Sequence, residues 1–142
     1  MILIDSSIFI GWTRRGINPL DMLRRQLHAN ELVSCGIVRC EVLRGLIKPK
    51  AQAELNALFD VIPEIPTTPK TWQQAAELAW ELDRKGIVLP LPDLVVAACA
   101  LSMEATVVTT DAHFAKIPKL KIRLMRCAGS VRCPTARSGC TG

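Results

Sequence analysis

A chain of 142 residues is long enough for one domain with a substantial core. Its 49% hydrophobic and 22% charged content excludes an intrinsically disordered polymer. No apolar run is long enough to span a bilayer. The first residues carry neither a basic stretch nor a small-residue cleavage site, so the expected location is cytoplasmic, with no membrane. The formal net charge of +5 favours polyanionic partners such as nucleic acid. The basic residues concentrate late in the chain. Beyond Asp111 there is no acid, while Lys116, Lys119, Lys121, Arg123, Arg126, Arg132 and Arg137 follow.

In chain order, Ile2–Ile4 is an apolar, β-prone run that stops at Asp5, as a buried strand does on leaving the core. Asp5 alone could simply end the strand or cap the next turn. Asn18-Pro19 resembles a helix start, with Leu20, Leu23 and Leu27 as its apolar face. Leu32–Ile37 is a second β-rich run, followed by a helix from Val38 to Leu46 that carries Glu41. Pro49 opens another helix to about Asp60, with Leu55, Leu58 and Phe59 inward, and Val61–Ile65 is a short strand among prolines. Thr71–Lys85 has the clearest helical period, with Trp72, Ala75, Ala76, Ala79 and Leu82 on one side and Gly86 as its stop. Pro90-Leu-Pro92-Asp93 starts an apolar helix, Leu94–Met103. Thr106–Thr110 is a β-branched strand ending at Asp111, and Leu120–Met125 is the last strand. Strands alternating with helices imply an α/β fold with a central parallel sheet covered on both faces.

The six cysteines are expected to stay reduced in a chain without an export signal. Cys35, Cys40 and Cys99 lie in apolar surroundings and read as small core residues. Cys127, Cys133 and Cys140 are too widely spaced for a CxxC pair, which weakens a zinc site. They fall in a Gly/Ser/Thr/Cys-rich basic stretch that divides the chain into a domain at 1–126 and an irregular tail at 127–142.

Four acids occupy comparable places. Asp5 and Asp111 each follow a buried strand, Glu41 lies early in the helix after the second strand, and Asp93 opens a helix. In an open parallel sheet the carboxyl ends of strands and the N-termini of the following helices meet at one edge, where ligands bind. Two like charges ~4 Å apart repel by about 4 kcal/mol at an effective dielectric near 20, so such a cluster calls for protonation or a cation. Oxygen-only ligands favour Mg²⁺, with Mn²⁺ as a substitute, over zinc. Singly, each acid has a plainer reading: Asp93 as a helix N-cap, Glu41 paired with Arg44 three residues on, Asp111 beginning a turn.

Ile4-Asp5-Ser-Ser7, Glu41-Val-Leu-Arg44-Gly45, Leu91-Pro-Asp93-Leu-Val-Val-Ala-Ala98 and Val108-Thr109-Thr-Asp111-Ala-His-Phe114 resemble the successive acidic motifs of PIN domains, most of all the small VapC-type toxins of toxin–antitoxin pairs. The resemblance covers about residues 1–125. It implies a three-layer α/β/α fold and a Mg²⁺-dependent endoribonuclease toxin, a homodimer held inactive by a cognate antitoxin. By motif, Asp5 and Asp93 would be the principal metal ligands. Glu41 and Asp111 would complete the catalytic pocket directly or through water, with Ser7 and Thr109 supporting the carboxylates. His113 departs from the pattern, standing where many members have another acid; it could contact phosphate or sit at the surface. Arg39 and Cys40 also depart, preceding Glu41 where smaller or hydroxyl residues are common. The antitoxin would insert a helix into an apolar groove and present an Arg to the acidic pocket.

The chemistry so implied is hydrolysis of RNA phosphodiester bonds by metal-activated water. His28 and His113 have no motif-matched nucleophile. Of the 13 acids, four belong to the cluster, so the remaining surface is strongly basic. Arg14, Arg15, Arg39, Arg44, Lys48 and Lys50 are candidate RNA contacts near the inferred edge. Two rival readings remain. One is a non-catalytic PIN-like module that binds RNA or protein. The other is an Asp-dependent phosphotransferase or phosphatase using Asp5 as nucleophile, although Ser6, Ser7 and Ile8 do not form the D-x-D-x-T pattern common to that chemistry.

Overall fold

The computed structural model describes residues 1–126; the expected tail at 127–142, with its three cysteines, lies outside the described residues. Five strands form: β1 (Ile2–Ile4), β2 (Leu32–Cys35), β3 (Glu64–Ile65), β4 (Thr106–Thr109) and β5 (Lys121–Leu124). They make one sheet in the order β3-β2-β1-β4-β5, and every neighbouring pair is parallel. The register places Leu3 beside Val33 and Val107, three side chains almost without solvent exposure. These three share one face, and Ile4, Leu32 and Val108, buried too, occupy the other, so the centre of the sheet is apolar on both faces, as strands covered by helices require. β3 and β5 are the edge strands; along β5, Lys121, Arg123 and Leu124 are exposed and Ile122 is partly buried.

Six helices flank the sheet: α1 (Ser6–Arg14), α2 (Pro19–His28), α3 (Gly36–Gly45), α4 (Pro49–Val61), α5 (Pro69–Arg84) and α6 (Leu91–Ser102). α1 packs on α3 and α5 on α6, giving the expected three-layer α/β/α arrangement. A Cβ at Gly45 would sit 3.3 Å from Ile10 Cδ1, so this glycine sets how closely α1 and α3 approach. α6 is apolar all round and buried from Leu94 through Ala100, as expected of a helix enclosed by the core. Asn18 caps α2 through a 2.9 Å bond from Leu20 N. Gly86 follows α5 at φ +74, the left-handed stop that glycine accommodates.

Several local expectations need correction. α1 was not anticipated as a helix; its buried face is Ile8, Phe9 and Trp12, and Asp5 is its N-cap. α5 begins at Pro69, after a reciprocal Thr68–Thr71 capping box. Its buried face is Thr71, Ala75, Leu78 and Leu82, so Trp72 and Ala76 lie outside it, both exposed. Trp80 is exposed too and carries the Arg84 guanidinium 3.8 Å above its ring. The Val61–Ile65 strand shrinks to Glu64–Ile65, because Val61 completes α4 and Pro63 has no N–H to pair, offering only its carbonyl to Ser34 N at 3.0 Å. A short 3₁₀ helix, Ala112–Lys116, follows β4. Cys35 and Cys99 are buried as expected, but Cys40 is exposed.

Candidate active site

β1 and β4 are neighbours, and their carboxyl ends set the site. Asp5 leaves β1 with its N–H bonded to Val108 O at 2.9 Å, and only 5% of the residue remains exposed. All its side-chain hydrogen bonds fall on Oδ2: Ser7 Oγ donates at 2.6 Å, Thr109 Oγ1 at 2.9 Å and Ser7 N at 3.4 Å. The same hydroxyls extend the network. Thr109 Oγ1 accepts from Asp111 N at 3.0 Å and Ser7 Oγ from Thr110 N at 3.3 Å. Ser7 and Thr109 thus tie the β1–α1 junction to the end of β4, as their assignment as carboxylate supports requires. Asp5 also caps α1, so the plainer reading of this residue is true alongside the other.

Asp111 caps the 3₁₀ helix by accepting from His113 N at 2.8 Å on Oδ1, and His113 Nδ1 lies 2.7 Å from the same oxygen. His113 is exposed yet engaged with the cluster's own acid. Glu41, on α3, accepts a 2.8 Å bond from Ser6 Oγ on Oε2. It does not pair with Arg44, and Ser6 is a supporting residue the sequence did not reveal: its partner is 35 positions away. Asp93 lies in the first turn of α6, whose N-cap is Pro90, so it is not the cap. It has no hydrogen-bond or ion-pair partner among the described residues.

The electrostatics show that these acids share one environment. The Asp93 carboxyl is raised from 3.8 to about 6, first by burial, then by the negative charges of Asp5, Asp111 and Glu41, with His113 opposing. Among the described residues no Lys or Arg pairs with any of the four; the ion pairs there are Arg24–Asp21, Arg39–Asp60 and His113–Asp111. One oxygen each of Asp5, Glu41 and Asp111, and both of Asp93, remain without a hydrogen-bond donor. Among the described residues no three His, Cys, Asp or Glu side chains lie close enough together to hold a metal ion between them. An unneutralised carboxylate cluster spreads apart, and Mg²⁺ is ordinarily held by one or two carboxylates with waters completing its shell. The donor set, all oxygen and short of positive charge, fits a hard divalent cation. Engagement of Asp5 Oδ2 by three donors on a buried carboxylate counts against Asp5 as a nucleophile.

The candidate RNA-binding arginines lie on α3 and at the end of α1. Arg39 is held by Asn56 Oδ1 at 2.7 Å and Asp60 Oδ1 at 2.6 Å on α4. Arg14 and Arg15 lie at the far end of α1, about 13 Å along its axis from Asp5. Arg44 is exposed on α3.

The PIN domain family model matches residues 2–120. Ribonuclease VapC2 of Rickettsia felis is 30% identical over 108 residues, covering 72% of this chain and 78% of that protein. A crystal structure of VapBC2 from Rickettsia felis, bound to a DNA fragment from their promoter, superposes with a TM-score of 0.75 at 24% identity, over 89% of this chain and 100% of that one. A toxin–antitoxin complex from Klebsiella pneumoniae superposes with a TM-score of 0.65 at 21% identity, over 84% and 95%. At these identities the two structures establish the fold.

Proposed function

Because the chain belongs to the PIN-domain family, in its VapC-type branch, we propose that it is the endoribonuclease toxin of a toxin–antitoxin pair, hydrolysing RNA phosphodiester bonds with Mg²⁺ as cofactor. The observation that carries the reading is the set of four acids at one sheet edge, electrostatically coupled through Asp93 and without a Lys or Arg ion pair among the described residues. The similarity to a protein named a ribonuclease supports RNA as the substrate. Residues 1–126 make up the catalytic domain.

In this reading Asp5 and Asp93 would hold the ion directly, and Glu41 and Asp111 would do so directly or through water. A bound divalent cation supplies activated water and offsets charge on the phosphoryl oxygens. Ser7 and Thr109 keep Asp5 Oδ2 occupied and fix the carboxylate, which would leave Oδ1 free toward a cation. Ser6 orients Glu41 in the same way, and His113 fixes Asp111. Asp93, held above the ordinary carboxylate range by burial and by its acidic neighbours, would gain most from a neutralising cation. The solved relatives named as VapBC and toxin–antitoxin complexes support a cognate antitoxin as partner. It presents an Arg to the uncompensated acids, a pairing that suits charged recognition, and the toxin itself is a homodimer.

The test is cleavage of a mixed RNA pool. The purified protein cuts with Mg²⁺ or Mn²⁺ and stops with EDTA, and Asp5→Asn loses roughly 10³-fold or more, about 4 kcal/mol of transition-state stabilisation. An intact RNA pool with both metals, or undiminished cleavage by a correctly folded Asp5→Asn variant, overturns the proposal.

A further inference from the structure

An acidic pocket repels the polyanion it is to cut, so attraction must come from a neighbouring surface; three of the arginines named above are poorly placed for it, while Arg44 is exposed on α3 three residues after Glu41. Arg39 is committed to α4, and Arg14 and Arg15 stand at the wrong end of α1. The chain after Asp111 offers a different surface. Lys116, Lys119, Lys121, Arg123 and Arg126 are all exposed. None forms an ion pair among the described residues, and no acid separates them in the sequence; in space Glu104 shares a surface pocket with Lys119 and Lys121.

Parallel pairing fixes where this surface lies. Val108 is in register with Ile4 on one side and Arg123 on the other. Ile4 immediately precedes Asp5, so Arg123 sits level with the catalytic edge, two strand spacings or about 10 Å across the sheet. Met125 N donates to Thr109 O at 2.8 Å, carrying β5 alongside β4 up to the level of the Thr109 that supports Asp5. Lys121 and Arg123 are two residues apart in the strand, so their side chains project from the same face of the sheet. β5 is also one of the sheet's two outer strands. A row of unpaired cations thus leads along β5 to the acidic edge.

We propose that β5 is the substrate rail of this protein: Lys121 and Arg123, with Arg126 beyond them, bind backbone phosphates of single-stranded RNA and lead the strand to the pocket at Asp5 and Asp111. The assignment rests on the ribonuclease reading for its substrate class, and on register and charge for its place. The contacts are to phosphate, so they supply affinity and alignment rather than sequence preference. Lys121 and Arg123 are positioning residues, and their removal raises KM while leaving kcat nearly unchanged.

The experiment compares Lys121→Gln/Arg123→Gln with Arg14→Gln/Arg15→Gln, two double variants that remove equal charge from opposite regions. Binding of a short, fluorescently labelled single-stranded RNA is followed by anisotropy in EDTA over a range of salt concentrations, and cleavage is followed separately with Mg²⁺. The β5 variant is expected to bind about tenfold more weakly, with the slope of log K against log salt reduced by roughly 1.4, as loss of two phosphate contacts on a single strand implies. Its KM rises about as much, while the Arg14/Arg15 variant stays within about twofold of wild type. Equal weakening in both variants means that net charge alone attracts RNA, and overturns the proposal. Unchanged RNA affinity in the β5 variant, the result if this edge serves a protein partner instead, also overturns it. The two readings fail separately. Wild type that binds through β5 but never cleaves removes the nuclease and keeps the rail; wild type that cleaves with no contribution from β5 removes only the rail.

Discussion

The β1–α1 junction and the first turn of α6 each deliver an aspartate to the same edge, in opposite ways. Asp5 is buried and strapped: Ser7 and Thr109 donate three hydrogen bonds to one oxygen, and its own N–H is tied to β4. Asp93 has no such partner, and its carboxyl is pushed up to about 6 by burial and by its three acidic neighbours. One junction is built for position. The other is left electrostatically strained, which gives an incoming cation something to relieve. A site in which every acid were strapped would hold its shape without metal but gain less from binding it; one with none strapped would not present its oxygens in a fixed arrangement.

The strongest way to break this contrast is to unstrap Asp5. Thr109 is completely buried, donates to Asp5 Oδ2 and accepts from Asp111 N. Thr109→Val keeps the shape but removes both bonds, leaving the Asp111 amide without its acceptor. The expected cost is about 2 kcal/mol in stability by urea denaturation, with a 10–100-fold fall in metal-dependent cleavage, the usual range for loss of a group that orients a ligand. Thr109→Ser, which keeps the hydroxyl, should recover most of the activity. Wild-type cleavage by the Val variant would mean that Asp5 needs no support.

The contrast also marks what the sequence could and could not reveal. Asp5, Glu41, Asp93 and Asp111 were legible because strand ends and helix starts follow from local apolar runs, and a parallel sheet brings those points to one edge. Ser7 and Thr109 were legible only through the PIN-domain resemblance. Ser6 was not legible at all, since nothing local to it predicts a bond to α3. The helix in which it lies was missed too, because Asp5-Ser6-Ser7 reads equally well as a strand end. The exposed Trp72 was misplaced for a related reason: periodicity identifies a helical face, but the neighbour that covers it is chosen by tertiary packing. Arg39 shows the same limit, its partners Asn56 and Asp60 lying on the next helix.

Relieving Asp93 should have a smaller effect, and one opposite in sign. Below about pH 4 the carboxyl is protonated in both folded and unfolded chains and contributes nothing. Between about 4 and 6 the unfolded chain, with its ordinary value of 3.8, releases the proton first, so metal-free stability falls as pH rises; above about 6 the full penalty is present. Asp93→Asn removes it. Allowing for solvent screening of a half-buried group, the metal-free variant should gain about 1 kcal/mol at pH 8, or roughly 2–4 °C in Tm, and nothing measurable at about pH 3. Added Mg²⁺ should stabilise wild type more than the variant, because binding to the folded state alone raises stability. Equal Tm at pH 8 without metal would remove the idea that this residue is held under strain.

The finest test separates positioning from stability at Glu41. Ser6 Oγ donates to Glu41 Oε2 at 2.8 Å across a partly buried gap between α1 and α3. A hydrogen bond to a carboxylate is worth about 1.5–3 kcal/mol when enclosed, and less where water can replace the hydroxyl. Ser6 is also the first residue of α1, where alanine's better helical propensity returns up to about 0.5 kcal/mol. Ser6→Ala should therefore change stability by no more than about 1 kcal/mol. Cleavage should still fall several-fold, because Glu41 retains its charge but loses its orientation. If Glu41 contributed only charge to the pocket, the fall would be absent, and Glu41→Gln would then abolish activity where Ser6→Ala leaves it whole. A parallel loss in both variants, larger in Glu41→Gln, assigns this acid the same two requirements as Asp5: a charge to meet the cation, and a hydroxyl to hold that charge in place.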